Sequence, residues 1–161
     1  MAEIVGQPAN PGDAIVDYED KVFPDHQANP GEQAFVFFHC VPFESSASLV
    51  NLLTATRIRR KGFDTSVVLF GPGSLIASRT RGYPHVGDEA FPGNQTYNKQ
   101  IKTFMDEGGK VYACRFSAAA LYGMREVDMI EGVKPINPRD VLDAAITAWR
   151  AGALVLNTWN V

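Results

Sequence analysis

Residues 34–41 read AFVFFHCV, apolar at nearly every position, and a run this continuous suits a strand buried on both faces of a parallel sheet. Residues 65–70 (TSVVLF), 110–114 (KVYAC) and 153–158 (ALVLNT) have the same character. The stretches between them change period. Leu49, Val50, Leu52, Leu53 and Ile58 fall near helical spacing, with Ser45 or Ser46 as the cap and Gly62 as the stop. Tyr97, Ile101, Phe104 and Met105 predict a helix over 95–107, ended by Gly108-Gly109. A short helix over 117–122, capped by Ser117, runs to Gly123. A mixed stretch with Val127, Met129 and Ile130 then leads to Pro135. Pro138 stands where a first-turn proline belongs, and the helix over 139–150 has Val141, Leu142, Ala145, Ile146 and Trp149 as its buried stripe. Strands alternating with helices predict a three-layer α/β domain: a roughly five-stranded parallel sheet, right-handed crossovers and helices on both faces. In such sheets ligands bind beyond the carboxyl ends of the strands, where the strand order reverses.

Two stretches lie outside this rhythm. Residues 1–33 scatter Pro, Gly, Asn and Asp with little periodicity and read as an irregular arm before a domain over 34–161; the repeated Ala-Asn-Pro-Gly at 9–12 and 28–31 reflects turn chemistry. Residues 78–94 (SRTRGYPHVGDEAFPGN) read as a long surface loop, a kind of segment that often carries function. The aromatics Phe35, Phe37, Phe38, Tyr112 and Trp149 fall on predicted strands and helices, where core packing is the default, whereas the terminal Trp159 suggests a subunit interface.

At 161 residues the chain suits one domain with a core of its own. Its formal charge of −3 argues against nucleic acid as a partner, because no basic field is available for phosphates. The one dense basic run, Arg57, Arg59, Arg60 and Lys61, closes a helical pattern and reads as solvated charge complementing the helix dipole. Membrane partners are not expected, since no apolar stretch approaches a span and MAEIVGQPANPGD lacks signal-peptide character; the expected location is cytoplasmic. Cys40 and Cys114 are read as thiols in a reducing compartment.

The strand ends carry the candidate chemistry. Cys114 closes a strand and precedes a helix, where backbone N–H groups and Arg115 favour a thiolate; the alternative is a buried, inert thiol. His39 and Cys40 end the first strand. They point to opposite faces, and both open toward the crevice of Cys114 only if strands one and three are neighbours. His39 reads either as a ligand-facing group that activates a thiolate or holds a metal, or as a hydrogen-bonded structural residue. Gly71-Pro72-Gly73 reads first as a tight turn, with an approach to an anion through Gly71 and Gly73 as the functional alternative. His85 is the loop's candidate for ligand binding, and with Asp88 and Glu89 it reads either as part of a metal site completed by His39 or a cysteine across an interface, or as a solvated loop. No CxxC or HExxH spacing supports a metal, no Walker or Rossmann glycine pattern supports a nucleotide, and no cofactor is expected.

KVYACRFSAAALYGM, with Cys114, Ser117 and Gly123, resembles the strand, cysteine, serine and downstream glycine of the DsrE-like proteins of the YchN-like fold. The likeness runs over 34–158 in the order of elements; FHCVPFES and VLFGPGS are most similar to the group described as nitrogen-starvation response proteins. Where the family often has arginine, this chain has Tyr122. The resemblance implies a homo-oligomer, a trimer or hexamer, and in the sulfur-relay members the matching cysteine carries a persulfide between protein partners. Two functions follow as expectations. One is a non-catalytic or regulatory oligomer that binds a small ligand or partner at the strand-end crevice through His39, Cys40, Gly71, Gly73, Ser117 and His85. The other is a thiol-based sulfur carrier that uses Cys114 and Arg115.

Overall fold

The computed structural model describes residues 23–42, 47–79 and 93–159, without the side chains of 93–96 and of Trp159. In chain order the elements are β1 (Gln33–His39), α1 (Ala47–Arg60), β2 (Asp64–Leu69), a 3-10 segment (Gly71–Ala77), α2 (Gly93–Asp106), β3 (Lys110–Cys114), α3 (Arg115–Tyr122), a 3-10 turn (Glu126–Asp128), β4 (Lys134–Ile136), α4 (Pro138–Arg150) and β5 (Leu154–Trp159). The five strands form one sheet in the order β4-β3-β2-β1-β5, and every neighbouring pair is parallel. The chain steps outward from β1 to β4 and then returns to lay β5 on β1's other side. Crossovers of constant hand in opposite directions place their helices on opposite faces. Accordingly α1 and α2 pack together on one face, and α4 packs against β1 and β5 on the other.

The alternation of each strand sorts its side chains between these faces. Val36 and Phe38 of β1, Val67 and Leu69 of β2, and Val111 and Ala113 of β3 join Leu52, Ala55 and Ile58 of α1 and Ile101 and Phe104 of α2 in the main core. Arg59 extends this layer: its Nε donates to Glu107 O at 2.9 Å and its guanidinium donates to Phe63 O at 3.2 Å, joining the end of α1 to the end of α2. Arg60 pairs with Glu107 at 2.6 Å, and Lys61 pairs with Asp25. The basic run thus stays largely solvated, as its composition suggests, while Arg59, Arg60 and Lys61 also tie elements together.

Several local readings are corrected. α1 buries Ser48, Leu52, Ala55, Thr56 and Ile58, and Val50 faces outward, because tight contact with the sheet selects small residues on that side. β4 was not legible as a strand: it is three residues long, contains Pro135 and lies on the sheet edge, the place where a residue lacking an N–H is tolerated. The largest difference is at α4. Of its expected buried stripe Val141 and Ile146 are half-buried, but Leu142 (66% exposed), Ala145 and Trp149 (78% exposed) are turned outward, and Ala148 is its buried residue. The caps expected at Ser45 or Ser46 lie outside the described residues.

Candidate functional site

The carboxyl ends of the strands hold two groups of side chains. The first lies where the strand order reverses, between β1 and β5. Cys40, 1% exposed, follows β1; its Sγ is 2.7 Å from Ser48 Oγ of α1 and 3.3 Å from Thr158 Oγ1 of β5. Thr158 Oγ1 donates to Phe37 O at 3.2 Å and accepts from the His39 backbone N–H at 3.4 Å. A threonine hydroxyl has one proton. With that proton directed to Phe37, the thiol is the donor in the Cys40–Thr158 contact, and Ser48 donates to the sulfur. The reversal point of the sheet is thus closed by a buried hydrogen-bonded trio.

The second group lies around β3. Cys114 occupies the N-cap position of α3 and is 4% exposed, with no capping hydrogen bond from its side chain. The helix begins at Arg115, so Ser117 lies inside it and does not cap it, contrary to the sequence reading. Ser117 Oγ donates to Cys114 O at 3.2 Å and lies 2.6 Å from Ser74 Oγ. Since the Ser117 proton goes to Cys114 O, Ser74 is the donor between the two hydroxyls. The Arg115 Nε is 3.2 Å from Glu126 Oε1 at the surface. At the other end of α3 the Tyr122 hydroxyl donates to Pro72 O at 3.2 Å.

Gly71-Pro72-Gly73 lies between the groups. Gly71 has φ +51°, and a Cβ there would come 2.5 Å from His39 Nε2. A Cβ on Gly73 would collide with the Phe38 carbonyl. These glycines let the segment after β2 cross directly over the end of β1. The His39 ring, tilted against Phe70 with centroids 4.8 Å apart, is the wall it crosses.

Cys40 and Cys114 do not share a crevice. β2 separates their strands. Cys40 belongs to the core under α1, whereas Cys114 follows Ala113 on the face that carries Tyr112. The structure brings His39 to Gly71 and Cys114 to Ser117, and adds Ser48, Ser74 and Thr158, which the sequence reading did not single out, together with Tyr122. Thr158 was unreadable because its pairing with Cys40 spans most of the chain, whereas Ser48 lies only eight residues on and carries no local signal that it faces the sulfur. Tyr122 was visible as a departure from a family pattern. His85, Asp88 and Glu89 lie outside the described residues, and among the described residues no group of three or more His, Cys, Asp or Glu is placed to hold a metal ion.

With this geometry in view, the comparisons with known proteins are decisive for the family. The model of the DsrE/DsrF-like family matches residues 33–151, nearly the whole described domain. The chain belongs to the DsrE/DsrF-like family. Among solved structures it is similar to the ychN protein of E. coli (TM-score 0.60, 14% identity, covering 79% of this chain and 99% of the other). It is also similar to protein MTH1491 of Methanobacterium thermoautotrophicum, described as of unknown function (TM-score 0.58, 15% identity, 80% and 99% covered). A third likeness is to the conserved protein of unknown function BT1422 of Bacteroides thetaiotaomicron (TM-score 0.54, 11% identity, 79% and 95% covered). At these identities the likeness concerns the fold. No curated protein matches the sequence. This member of the DsrE/DsrF-like family has a buried cysteine, Cys114, at the β3–α3 junction. Among the described residues no helix is long and apolar enough to cross a membrane.

Proposed function

We propose that this chain is a non-catalytic, regulatory member of the DsrE/DsrF-like family that acts in the nitrogen-starvation response and binds a small ligand or partner protein at its strand ends. The observation that carries the reading is the burial of both thiols: Cys40 is 1% and Cys114 4% exposed, and Cys40 is also held between two hydroxyls. A nucleophilic or sulfur-accepting cysteine must meet a partner's sulfur, so reactive cysteines sit in partly exposed sites while structural ones are buried and inert. The likeness of FHCVPFES and VLFGPGS to the nitrogen-starvation group supports the physiological part of the reading. Of the strand-end residues, His39 and Gly71 are partly exposed, whereas Gly73 and Ser117 are buried.

The alternative, a persulfide carrier using Cys114, is favoured by one observation, the position of that residue at the start of α3. The rate of Cys114 alkylation against pH separates the two, with Cys114→Ser and Cys40→Ser as controls and intact mass after exposure to a persulfide donor. The regulatory reading expects both thiols of the native protein to stay unmodified until denaturant is added. Rapid modification of the native protein, with a persulfide mass that vanishes in Cys114→Ser, would overturn it in favour of sulfur transfer.

A further inference from the structure

The face of the sheet opposite the main core is only partly roofed by α4, and an open cleft of about 420 Å³ remains between helix and sheet. This lies in the lower part of the range of small-molecule sites, about 300–1,000 Å³. Its floor is made by Phe35 of β1, Val68 of β2, Tyr112 of β3 and Ile136 of β4. Its wall is Asp140, Asp143, Ala144 and Thr147 of α4. Those four positions are spaced i, i+3, i+4 and i+7, one face of a helix. The line of α4 that packs on the sheet runs through Ala144 and Ala148; beside it the exposed Asp140, Asp143 and Thr147 bring two carboxylates and a hydroxyl to the cleft, while Leu142 and Trp149 point to solvent.

Only some of the polar groups of the cleft are spent on one another. Asp64 and Lys110, at one end, pair at 2.7 Å and neutralise each other. Asp140 Oδ2 accepts the Asn137 N–H at 2.9 Å, capping α4. Among the described residues the Asp143 carboxylate has no such partner. Ser66 lines the cleft from β2, and among the described residues its hydroxyl makes no hydrogen bond. The net charge of the lining is negative and its floor includes two aromatic rings, a surface that attracts a cation through both carboxylate and ring face.

We propose that this cleft is a second ligand site, separate from the strand ends, that takes a small organic ammonium ion with a flat apolar body. The body lies on Phe35, Val68 and Tyr112, and the ammonium group donates to Asp143 and Ser66. The site stands or falls independently of the role given to the strand ends and to Cys114.

A matched set of probes tests it: tryptamine, the neutral tryptophol and the anionic indole-3-propionate, titrated into the isotopically labelled full chain while backbone amide shifts are followed. The expected result is saturable shifts at Ser66, Tyr112 and Ala144, with tryptamine bound about tenfold or more tightly than the other two. In Asp143→Asn, an exposed position whose change leaves the amide spectrum otherwise intact, that advantage disappears while tryptophol binding is retained. Ala144→Leu fills the cleft and abolishes the shifts for all three probes. Equal affinities for the three probes, a tryptamine advantage that survives in Asp143→Asn, or no shift at these amides at millimolar probe would each overturn the proposal.

Discussion

Gly73 and Cys40 show how little room single residues have at the strand ends. A methyl group on Gly73 meets the Phe38 carbonyl, a backbone atom that cannot swing away. Gly73→Ala is therefore expected to lower the unfolding free energy by about 1–3 kcal/mol, the usual cost of overpacking. Urea titration checks this, and a loss below about 0.5 kcal/mol, typical of an uncrowded surface position, would contradict the described crossing of the segment over β1. Cys40 presents the opposite case. Cys40→Ala removes the sulfur that accepts from Ser48 and donates to Thr158, leaving buried hydroxyl capacity unfilled, and should cost about 1–3 kcal/mol. Cys40→Ser, which keeps a donor and an acceptor, should recover part of that loss. If Ala and Ser prove equal, the hydrogen bonds contribute nothing and the position is one of volume alone.

Elements were legible in proportion to how far one local pattern determined them. β3 is identical to its expected range because KVYAC lies between Gly108-Gly109 and a helix start, so both boundaries have local causes. α4 was legible as a helix from Pro138 to Arg150 for a similar reason. Its orientation was not, since an amphipathic stripe states that one side is apolar without saying what covers it. The buried face of α1 was hidden by Ser48, Ala55 and Thr56, which look neutral in sequence and are chosen by proximity to the sheet. Two predictions belong to α4. The side chain of Asn137 accepts from Arg139 N at 3.0 Å, so Asn137→Ala should cost about 1 kcal/mol of stability, measured by thermal or chemical unfolding; an unchanged midpoint would mean the cap is replaced by water. The outward Leu142 and Trp149 support the proposal that the chain assembles with copies of itself, as a trimer or hexamer. Light scattering on the double variant Leu142→Ser, Trp149→Ser should then give a smaller particle than the parent, with the fold retained by circular dichroism. A parent that is already monomeric would refute this.

For the molecule as a whole, the ion pairs among the described residues all lie at the surface, and they set the response to acid. Hydrogen bonds from the side chain and then the backbone of Arg125 hold the Asp128 carboxyl down to about 2, and the hydrogen bond from Arg60 lowers Glu107. Asn29 lowers Glu32 in the same way. A carboxylate with a folded-state pKa below its unfolded value contributes stability above the unfolded pKa, and that contribution is lost as pH falls through the folded one. The structure should thus be equally stable from neutral pH to about 5 as far as these groups are concerned, and should weaken between about 4 and 2. Unfolding midpoints followed over that window check the sign; a midpoint that rises on acidification would contradict it. Arg125→Ala should flatten the lower end of the curve, since it releases Asp128. Because these pairs are exposed, added salt should reduce the difference.

The position of β5 has a consequence for how the chain is made. Of the five described strands β1 is the first to leave the ribosome, and one of its two edges pairs with β2 within a few tens of residues. The other edge pairs Ala34 with Leu154 and His39 with Trp159, so it stays open until synthesis has reached the far end of the domain. Contacts of such separation form late and slowly. During that interval an apolar strand offers bare backbone N–H and C=O groups to any neighbouring nascent chain. Translation speed over the last strand and the attention of chaperones to β1 should therefore govern the yield of this protein more than its final stability does.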